Sequence, residues 1–214
     1  MLYLIYMDKF SYYLNLVIML IRGTLYQLYW LNFRGWILLG PGSKIYGLSR
    51  LRLKGIIKIG SYSTVDARFC NRVSLGNRFS LGDHSILRAS GSYKFMCPGV
   101  DISEHVTFGP YSTIGGGFGL SIGKDCVFGP YVSIHPEGHV FSDGLTPIRQ
   151  QGIHGSGIVI GENNWFGAKT TILDGAVIES GSVFGAQSLL TKGNYFSNII
   201  YVGSPVKATR SRVS

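Results

Sequence analysis

Apolar residues recur every six positions through the C-terminal half of the chain. The first apolar residue of each six-residue unit, here called its leader, is Ile160, Phe166, Ile172, Ile178, Phe184 or Leu190. Four places after a leader stands a small or polar residue: Asn164, Thr170, Ala176, Ser182 or Ser188. A strict period of six fits neither the helical period of 3.6 nor strand alternation. It is typical of a parallel β-helix, in which each unit is one short strand and a corner, and both positions are predicted to point inward.

The same period extends towards the N terminus, mostly in blocks of three leaders. These leaders are Ile59 and Val65; Leu75, Leu81 and Leu87; Ile102, Phe108 and Ile114; and Ile122, Phe128 and Ile134. If three units complete one turn of a three-sided coil, the inserts after Leu87, Ile114 and Ile134 leave from the same edge. The longest insert, between Ile134 and Ile160, is predicted to be a loop beside the coil, and such loops commonly carry function.

Composition supports one globular repeat domain. The 214 residues include 30 glycines, but these follow the six-residue period, so they indicate corners rather than disorder. Cys70, Cys97 and Cys126 form neither a close pair nor a metal-like spacing, which favours a reducing compartment. Cys126 occupies an inward repeat position, and none of the three is predicted to be a nucleophile.

The N-terminal segment, residues 1–55, differs in charge and composition. Residues 1–58 carry eight Lys/Arg and one acid, a local balance of +7 within a total of +9, among many Leu, Ile, Tyr and Trp residues. The apolar run of residues 10–21 is too short to cross a bilayer, and no small-residue cleavage site of a signal peptide follows it. The pattern favours two short helices on a membrane surface, with contact through residues 1–40. Alternatively, these helices pack on the coil and cap its open end. A nucleic-acid partner is not predicted, because the basic residues are interleaved with aliphatic ones.

Several motifs follow one another between His135 and Arg210. The loop contains His139, then Phe141 and Asp143; residues 158–168 and 184–192 are regular repeats; and residues 202–207 read Val-Gly-Ser-Pro-Val-Lys. Together these motifs resemble the hexapeptide-repeat acyltransferases, in particular the branch that O-acetylates bacterial surface sugars. The resemblance covers about residues 56–210.

The resemblance implies a left-handed parallel β-helix over residues 56–200, with a loop insert at 135–158 and a coenzyme A-contacting tail at 201–214. It also implies a homotrimer with active sites between chains and acetyl-CoA as the acyl donor, with no metal. The expected acceptor is a hydroxyl of a bacterial surface glycan or of its lipid-linked precursor. The expected location is cytoplasmic, peripheral on the cytoplasmic face of the inner membrane.

The resemblance also assigns roles to single residues. His139 would take the proton of the acceptor hydroxyl, a task that suits a side chain with an unperturbed pKa of ~6.5. Ala168 would donate its backbone N–H to the thioester oxygen. The remaining positions that match contacts of the acyl donor are Trp165, at the cleft wall, Gly167, Ala186, Thr191, Lys192, Lys207 and Arg210. Direct transfer is expected, since no Ser or Cys is in an activated setting.

Other assignments remain open at this point. His135 is the second candidate for the base, and His135, Asp143 and His154 are candidates for contact with the acceptor. A soluble sugar, a sugar nucleotide or a xenobiotic is an alternative acceptor. A γ-class-like zinc carbonic anhydrase would need His105, His135 and His139 as ligands, and a scaffold without activity is a further alternative.

Overall fold

The computed structural model describes residues 2–29, 35–90 and 93–213 of the chain. It contains helices α1 (Leu2–Tyr29) and α2 (Ile148–Gln151) and a 3₁₀ turn at Leu48–Arg50. The strands in chain order are β1 (Trp36–Leu39), β2 (Lys44–Tyr46), β3 (Leu51–Leu53), β4 (Ile56–Ile59), β5 (Thr64–Asp66), β6 (Val73–Leu75), β7 (Ser80–Leu81), β8 (Ile86–Arg88), β9 (Val100–Ile102), β10 (Thr107–Phe108), β11 (Thr113–Gly115), β12 (Leu120–Ile122), β13 (Val127–Phe128), β14 (Ser133–His135), β15 (Gly138–His139), β16 (Ile153–His154), β17 (Ile158–Ile160), β18 (Trp165–Phe166), β19 (Thr171–Leu173), β20 (Ala176–Ile178), β21 (Val183–Phe184), β22 (Leu189–Leu190), β23 (Gly193–Tyr195), β24 (Ile199–Gly203) and β25 (Val206–Ser211).

The strands form three parallel sheets wound into one coil. Sheet A runs β1-β4-β7-β10-β13-β18-β21-β24, sheet B runs β2-β5-β8-β11-β14-β19-β22, and sheet C runs β3-β6-β9-β12-β17-β20-β23. Each turn of the chain therefore visits sheets A, B and C once, and the predicted left-handed parallel β-helix is confirmed. The turn from sheet A to sheet B is called the first edge, that from B to C the second, and that from C to A the third.

The predicted inserts leave the coil at one place. Ile114 pairs in register with both Leu87 and Ile134, all three in sheet B. The chain segments that follow these strands therefore all begin at the second edge, as the spacing predicts. The long loop, residues 136–157, hangs beside this edge without interrupting the ladder of strands in any sheet.

The inward positions build the core from end to end. The leaders are buried, and a column of rings fills sheet A's inner face, with ring centroids 4.2 Å apart for Phe108 and Phe128 and 4.8 Å apart for Phe166 and Phe184. The positions four after a leader are also buried, as predicted. Most polar side chains at these positions form hydrogen bonds within the core; for example, the Thr170 hydroxyl donates to Gly167 O at 2.8 Å.

Asn164 is the most heavily bonded of these buried polar side chains. Its Nδ2 donates to Gly161 O at 3.0 Å and to Glu179 O at 2.9 Å, and its Oδ1 accepts from Ser182 N at 2.7 Å. The amide therefore joins two successive turns of the coil inside the core. An apolar residue of similar size would leave Glu179 O and Ser182 N without a partner, and Gly161 O with only the Cys126 thiol as a donor.

We expect Asn164→Val to lower the free energy of unfolding by roughly 2–4 kcal/mol, since each orphaned buried group costs about 1–3 kcal/mol. Urea unfolding at fixed protein concentration measures the change. The matched control is Ser188→Ala: Ser188 Oγ is the buried side-chain oxygen that finds no partner within the described residues, so its removal should have little effect. An Asn164→Val chain as stable as the wild type would contradict the role given to the amide.

The N-terminal segment differs from the prediction in two respects. It forms one helix, α1, rather than two, and the coil begins at Trp36 rather than at residue 56. A side chain at Gly23 would collide with the Ile37 backbone, because an ideal Cβ there lies 1.7 Å from Ile37 O. Gly23 therefore permits a close contact between α1 and β1.

The second half of α1 covers the first turn of the coil. Gln27 Nε2 donates to Gly35 O at 2.8 Å, and the Tyr26 hydroxyl donates to Ile45 O. Met19 and Gln27 are buried by this packing. The second half of α1 thus packs on the coil and covers its end, as in the alternative to membrane contact. None of the helices within the described residues has the length and apolarity needed to cross a bilayer.

Two of the three cysteines meet in space although they are far apart in the sequence. Cys70 and Cys97 are free thiols whose Sγ atoms lie 3.0 Å apart, and both are fully buried. Burial raises the pKa of the Cys126 thiol to about 11. All three thiols are free and lie in the interior of the coil.

Candidate active site

The long loop presents His139 to solvent. After β14 the chain turns into the antiparallel pair β15–β16, in which His139 stands opposite Ile153 and Gly138 opposite His154. The His139 side chain is exposed, and its ring has no hydrogen-bond partner in the part of the chain that the structure describes. A histidine on a paired strand, with a free ring facing outward, is suited to meet a substrate or a neighbouring chain.

Asp143 stabilises a turn of the long loop. Its Oδ1 accepts from Leu145 N at 2.8 Å, and its backbone is held at both ends by the Gln151 side-chain amide. Hydrogen bonds from the Thr146 side chain and from Leu145 N hold the pKa of this carboxyl below its ordinary value. The carboxylate therefore stays ionised and stabilises the turn that leads into α2.

The other two loop histidines lie on either side of His139. His135 ends β14 in sheet B, is exposed, and contacts the Ser133 hydroxyl through Nε2. The His154 ring lies over Gly138, where an added Cβ would be 3.3 Å from Nε2. Both rings are thus near the base of the same hairpin, and either could face an acceptor.

The first edge carries the predicted backbone donor. A glycine follows each sheet A strand up to β21, and the residues directly after these glycines form a column along the first edge. From one end of the coil to the other, this column consists of Pro41, Ser61, Asp83, Pro110, Pro130, Ala168 and Ala186. Successive turns approach closely: an added Cβ at Gly129 would lie 2.7 Å from Ala168 N, and one at Gly167 would lie 2.5 Å from Ala186 N. Only glycine permits this spacing, which brings the two alanine amides into line along the edge.

The N–H groups of Ala168 and Ala186 have no acceptor among the described residues. The residues beneath them, Pro110 and Pro130, have no N–H at all. The two alanines therefore place adjacent free donors at the C-terminal part of the edge. A free backbone N–H on a rigid scaffold is the kind of group that stabilises charge on a carbonyl oxygen.

The C-terminal hairpin continues this edge. Val202 of β24 packs over Gly185, and Lys207 of the antiparallel strand β25 pairs with Val202, while Arg210 pairs with Ile200. Neither Lys207 nor Arg210 is within ion-pair distance of an acid in the described part of the chain. Two unpaired cations therefore follow the free N–H groups along the coil.

Trp165 and the Thr191–Lys192 pair occupy neighbouring surfaces. Trp165 is 54% exposed on the outer face of sheet A, between Val127 and Val183. Lys192 lies over Gly175 at the second edge, where an added Cβ would be 2.8 Å from its Cγ. Thr191 and Lys192 thus belong to the edge that carries the loop, whereas Ala168, Ala186 and Lys207 belong to the first edge.

Within one chain, the predicted base and the predicted carbonyl donor are on different edges. The described contacts of the loop are with the short insert at the second edge: a Cβ at Gly117 would meet Glu137, and one at Gly155 would meet Phe118. Sheet B separates this edge from Ala168. The site that the sequence predicts is therefore not assembled from one copy of the chain.

The histidines proposed for zinc are also separated. His105 lies at the third edge, where its Nδ1 is 3.0 Å from Asp125 Oδ1, away from His135 and His139 on the loop. Residues 2–29, 35–90 and 93–213 contain no group of three or more His, Cys, Asp or Glu arranged to hold a metal ion. A carbonic anhydrase site of these three histidines is thus not formed within the chain.

Comparison with known proteins places the chain in a family. Residues 157–192 match the model of the bacterial transferase hexapeptide (six repeats). The lipopolysaccharide biosynthesis O-acetyltransferase WbbJ of Escherichia coli is 30% identical over 143 residues, which cover 63% of this chain and 69% of that protein. The chain therefore belongs to the bacterial hexapeptide-repeat transferases, and the predicted family is confirmed.

Two further comparisons bear on the class and the fold. Acetyltransferase Rv3034c of Mycobacterium tuberculosis is 26% identical over 180 residues, which cover 84% of this chain. The same residues cover 51% of that relative, so the chain spans about half of its length. A mutant of AntD, an N-acyltransferase from Bacillus cereus crystallised with dTDP and coenzyme A, superposes with a TM-score of 0.56 at 15% identity, covering 87% of this chain and 88% of that one. The second likeness is one of fold. Both relatives named above carry the name of an acetyl- or O-acetyltransferase, which is the predicted class.

Proposed function

We propose that the protein is an acetyl-CoA-dependent O-acetyltransferase whose acceptor is a hydroxyl of a bacterial surface glycan or of its lipid-linked precursor. The observation that carries this proposal is the free N–H of Ala168 on the first edge, followed by the free N–H of Ala186 and the unpaired cations Lys207 and Arg210. The relatives named for O-acetyl and acetyl transfer give the reaction class.

The chemistry then follows from the positions of these groups. His139 accepts the proton of the acceptor hydroxyl while its oxygen attacks the thioester carbonyl. Negative charge develops on the carbonyl oxygen, and the Ala168 N–H donates to it. The tetrahedral intermediate collapses, and the C–S bond breaks. The coenzyme A thiolate takes up the proton held by His139 and leaves as the thiol, which releases the ester and regenerates the base.

Three cationic side chains are proposed to bind the nucleotide end of acetyl-CoA. Lys192, Lys207 and Arg210 are exposed and form no ion pair with a described acid. The nucleotide end of coenzyme A carries several phosphate charges, which such side chains bind well. Ala186 N–H and the glycine surface at Gly167 and Gly185 would receive the pantetheine arm between the phosphates and Ala168.

We infer that the active site is completed by a second chain. His139 and the Ala168 N–H leave the coil at different edges, so one chain cannot be assumed to present both to the same carbonyl. If three chains pack around an axis, the loop of one faces the first edge of the next, and each of the three clefts contains both groups. Thr191 and Lys192, which share the loop's edge, would then contribute to a neighbour's acyl donor.

A membrane-surface role for α1 is the second part of the proposal. Among residues 8–29 of α1, ten large apolar side chains are exposed: Phe10, Tyr12, Tyr13, Leu14, Val17, Ile18, Ile21, Leu25, Leu28 and Tyr29. Leu16, Val17 and Leu20 also line an apolar groove of about 400 Å³ with outward residues of the first strands of sheet A. Lys58 stands beside this groove, in register with Leu38, and Arg22 is exposed on the helix. Apolar surface flanked by cations fits the cytoplasmic leaflet of the inner membrane, where a lipid-linked acceptor would be found.

Replacing three exposed residues of α1 tests the membrane contact. We expect Val17→Glu/Ile21→Glu/Leu25→Glu to weaken binding to vesicles of phosphatidylethanolamine and phosphatidylglycerol at least about tenfold, because the apolar area that enters the lipid is lost and negative charge is added. Co-sedimentation measures the bound fraction. The matched control is Val127→Glu/Val159→Glu/Val177→Glu, which adds the same charge to exposed positions on the coil. Equal vesicle binding by both variants and the wild type would leave α1 as a cap alone.

The enzymatic proposal is tested by the release of coenzyme A from acetyl-CoA with free oligosaccharides and with lipid-linked oligosaccharides as acceptors. Acceptor-dependent release and an acetyl group that mild base removes from the product are the expected results. An acetyl group stable to mild base would identify an amine acceptor instead. No acceptor-dependent release with any of these compounds would contradict the proposal.

A further inference from the structure

Four aromatic side chains form an exposed column on the first edge. Tyr62, His84, Tyr111 and Tyr131, here called the aromatic ladder, each lie two residues after the glycine that ends a sheet A strand. Their ring centroids are 5.3, 5.1 and 5.0 Å apart in that order, with interplanar angles of 12°, 5° and 7°. The rings are therefore stacked face to face along the axis of the coil.

The aromatic ladder ends beside the predicted acyl-transfer position. Tyr131 N donates to Pro110 O at 2.9 Å, and in the next turn Lys169 N donates to Pro130 O at 2.9 Å. Lys169, the neighbour of Ala168, is thus the next residue of the same column. The ladder approaches Ala168 from the N-terminal side, whereas Ala186 and Lys207 lie on its C-terminal side.

The groups that the three tyrosines of the ladder offer to solvent are polar and uncharged. Because the ring faces cover one another, their edges point outward. Tyr62, Tyr111 and Tyr131 are 63%, 48% and 51% exposed, and their hydroxyls have no partner among the described residues. A phenolic hydroxyl both donates and accepts hydrogen bonds. A row of such hydroxyls matches a chain of sugar hydroxyls better than it matches an apolar or a phosphorylated ligand.

The backbone at these positions is left-handed, as it also is at Lys169 and Gln187 further along the column. All four residues have φ between 55° and 60°, a region where a bulky side chain is disfavoured and glycine or asparagine is the ordinary choice. Stacking offsets part of this cost. Stacking does not require hydroxyl groups, because phenylalanine rings stack equally well. The hydroxyls of the three tyrosines therefore have no structural role in the ladder.

We propose that the aromatic ladder binds the acceptor glycan along the first edge and guides one of its hydroxyls to the thioester carbonyl at Ala168. The proposal rests on the acetyltransferase function proposed above and adds the surface that receives the acceptor. Tyr62, at the far end, belongs to the second turn of the coil, next to the turn that α1 covers. The ladder therefore runs from the end of the molecule that carries α1 to the acyl-transfer position, which suits a glycan attached to a lipid.

The decisive variant removes hydroxyls and keeps rings. We expect Tyr62→Phe/Tyr111→Phe/Tyr131→Phe to retain the wild-type melting temperature but to bind at least about tenfold more weakly to an array of O-antigen and capsule oligosaccharides, one to three repeats long, since three hydrogen bonds are lost. Binding is measured without acetyl-CoA. The matched control is Tyr12→Phe/Tyr13→Phe/Tyr93→Phe, three exposed tyrosines away from the first edge, which should bind like the wild type.

Two results would overturn the proposal: oligosaccharide binding by the ladder variant equal to that of the wild type, or binding of no oligosaccharide by the wild type. Failure of the ladder is distinguishable from failure of the enzymatic proposal. If the ladder alone is wrong, wild-type protein still releases coenzyme A in an acceptor-dependent manner, and the ladder variant does so with an unchanged KM for the acceptor. If the enzymatic proposal is wrong, no acceptor-dependent release occurs in either protein.

Discussion

Replacing Ala168 by proline is expected to lower kcat roughly 100- to 1,000-fold while leaving the fold intact. Proline deletes the one group that Ala168 is proposed to use, its backbone N–H, and the loss of a single donor to a developing oxyanion has a cost of this size. Proline already occupies the same position in the two turns below, as Pro110 and Pro130, each preceded by a glycine as Ala168 is by Gly167. The backbone of this column therefore accepts the ring.

The measurement pairs steady-state kinetics with acetyl-CoA binding by calorimetry and a melting curve. The matched control is Ala186→Pro, one turn further along the same column, which should raise the KM for acetyl-CoA more than it lowers kcat, because Ala186 is proposed to meet the pantetheine arm. Wild-type kcat in a folded Ala168→Pro protein would show that the thioester oxygen is bound elsewhere.

Replacing His139 by alanine is the second large effect that we expect. A general base contributes about 100- to 10,000-fold to the rate of such a transfer, so His139→Ala should reduce kcat by that factor. The affinity for acetyl-CoA should change little, because the proposed donor site lies on the coil and its C-terminal hairpin. Since His139 is exposed and its ring has no described hydrogen-bond partner, the substitution should not destabilise the chain.

His135→Ala and His154→Ala are the matched controls for the base, because both rings belong to the same hairpin region and both are exposed. Each should retain most of kcat, and an effect on the KM for the acceptor would identify a contact with it. If His139→Ala retained turnover and His135→Ala lost it, the role of base would pass to His135.

The regular part of the molecule could be predicted from the sequence because one spacing fixes it. The leaders from Leu75 to Leu190 are all buried, and the inserts follow strands of one sheet, as the period of six requires. The start of the coil was missed although Leu39, Ile45 and Leu51 keep the same spacing, because the surrounding cations and aromatic residues suggested a separate membrane segment. The close contact that Gly23 permits between α1 and Ile37 is likewise not apparent from the sequence.

Features that depend on which residues the coil brings together were not accessible to spacing alone. Cys70 and Cys97 are 27 residues apart and separated by an insert, yet they meet at the second edge. The place of His84 between two tyrosine rings is apparent only once the corners of successive turns are aligned. The roles of His139 and Ala168 came from resemblance, and they stay predictions.

The position of the inserts has a consequence for how such proteins diversify. Every long departure from the coil begins after a strand of sheet B, so residues can be added or removed there without shifting the pairing of any strand. Mutation of the loop is thereby uncoupled from the stability of the scaffold. Descendants of this chain could acquire new acceptors by exchanging one exposed hairpin while inheriting the donor-binding surface unchanged.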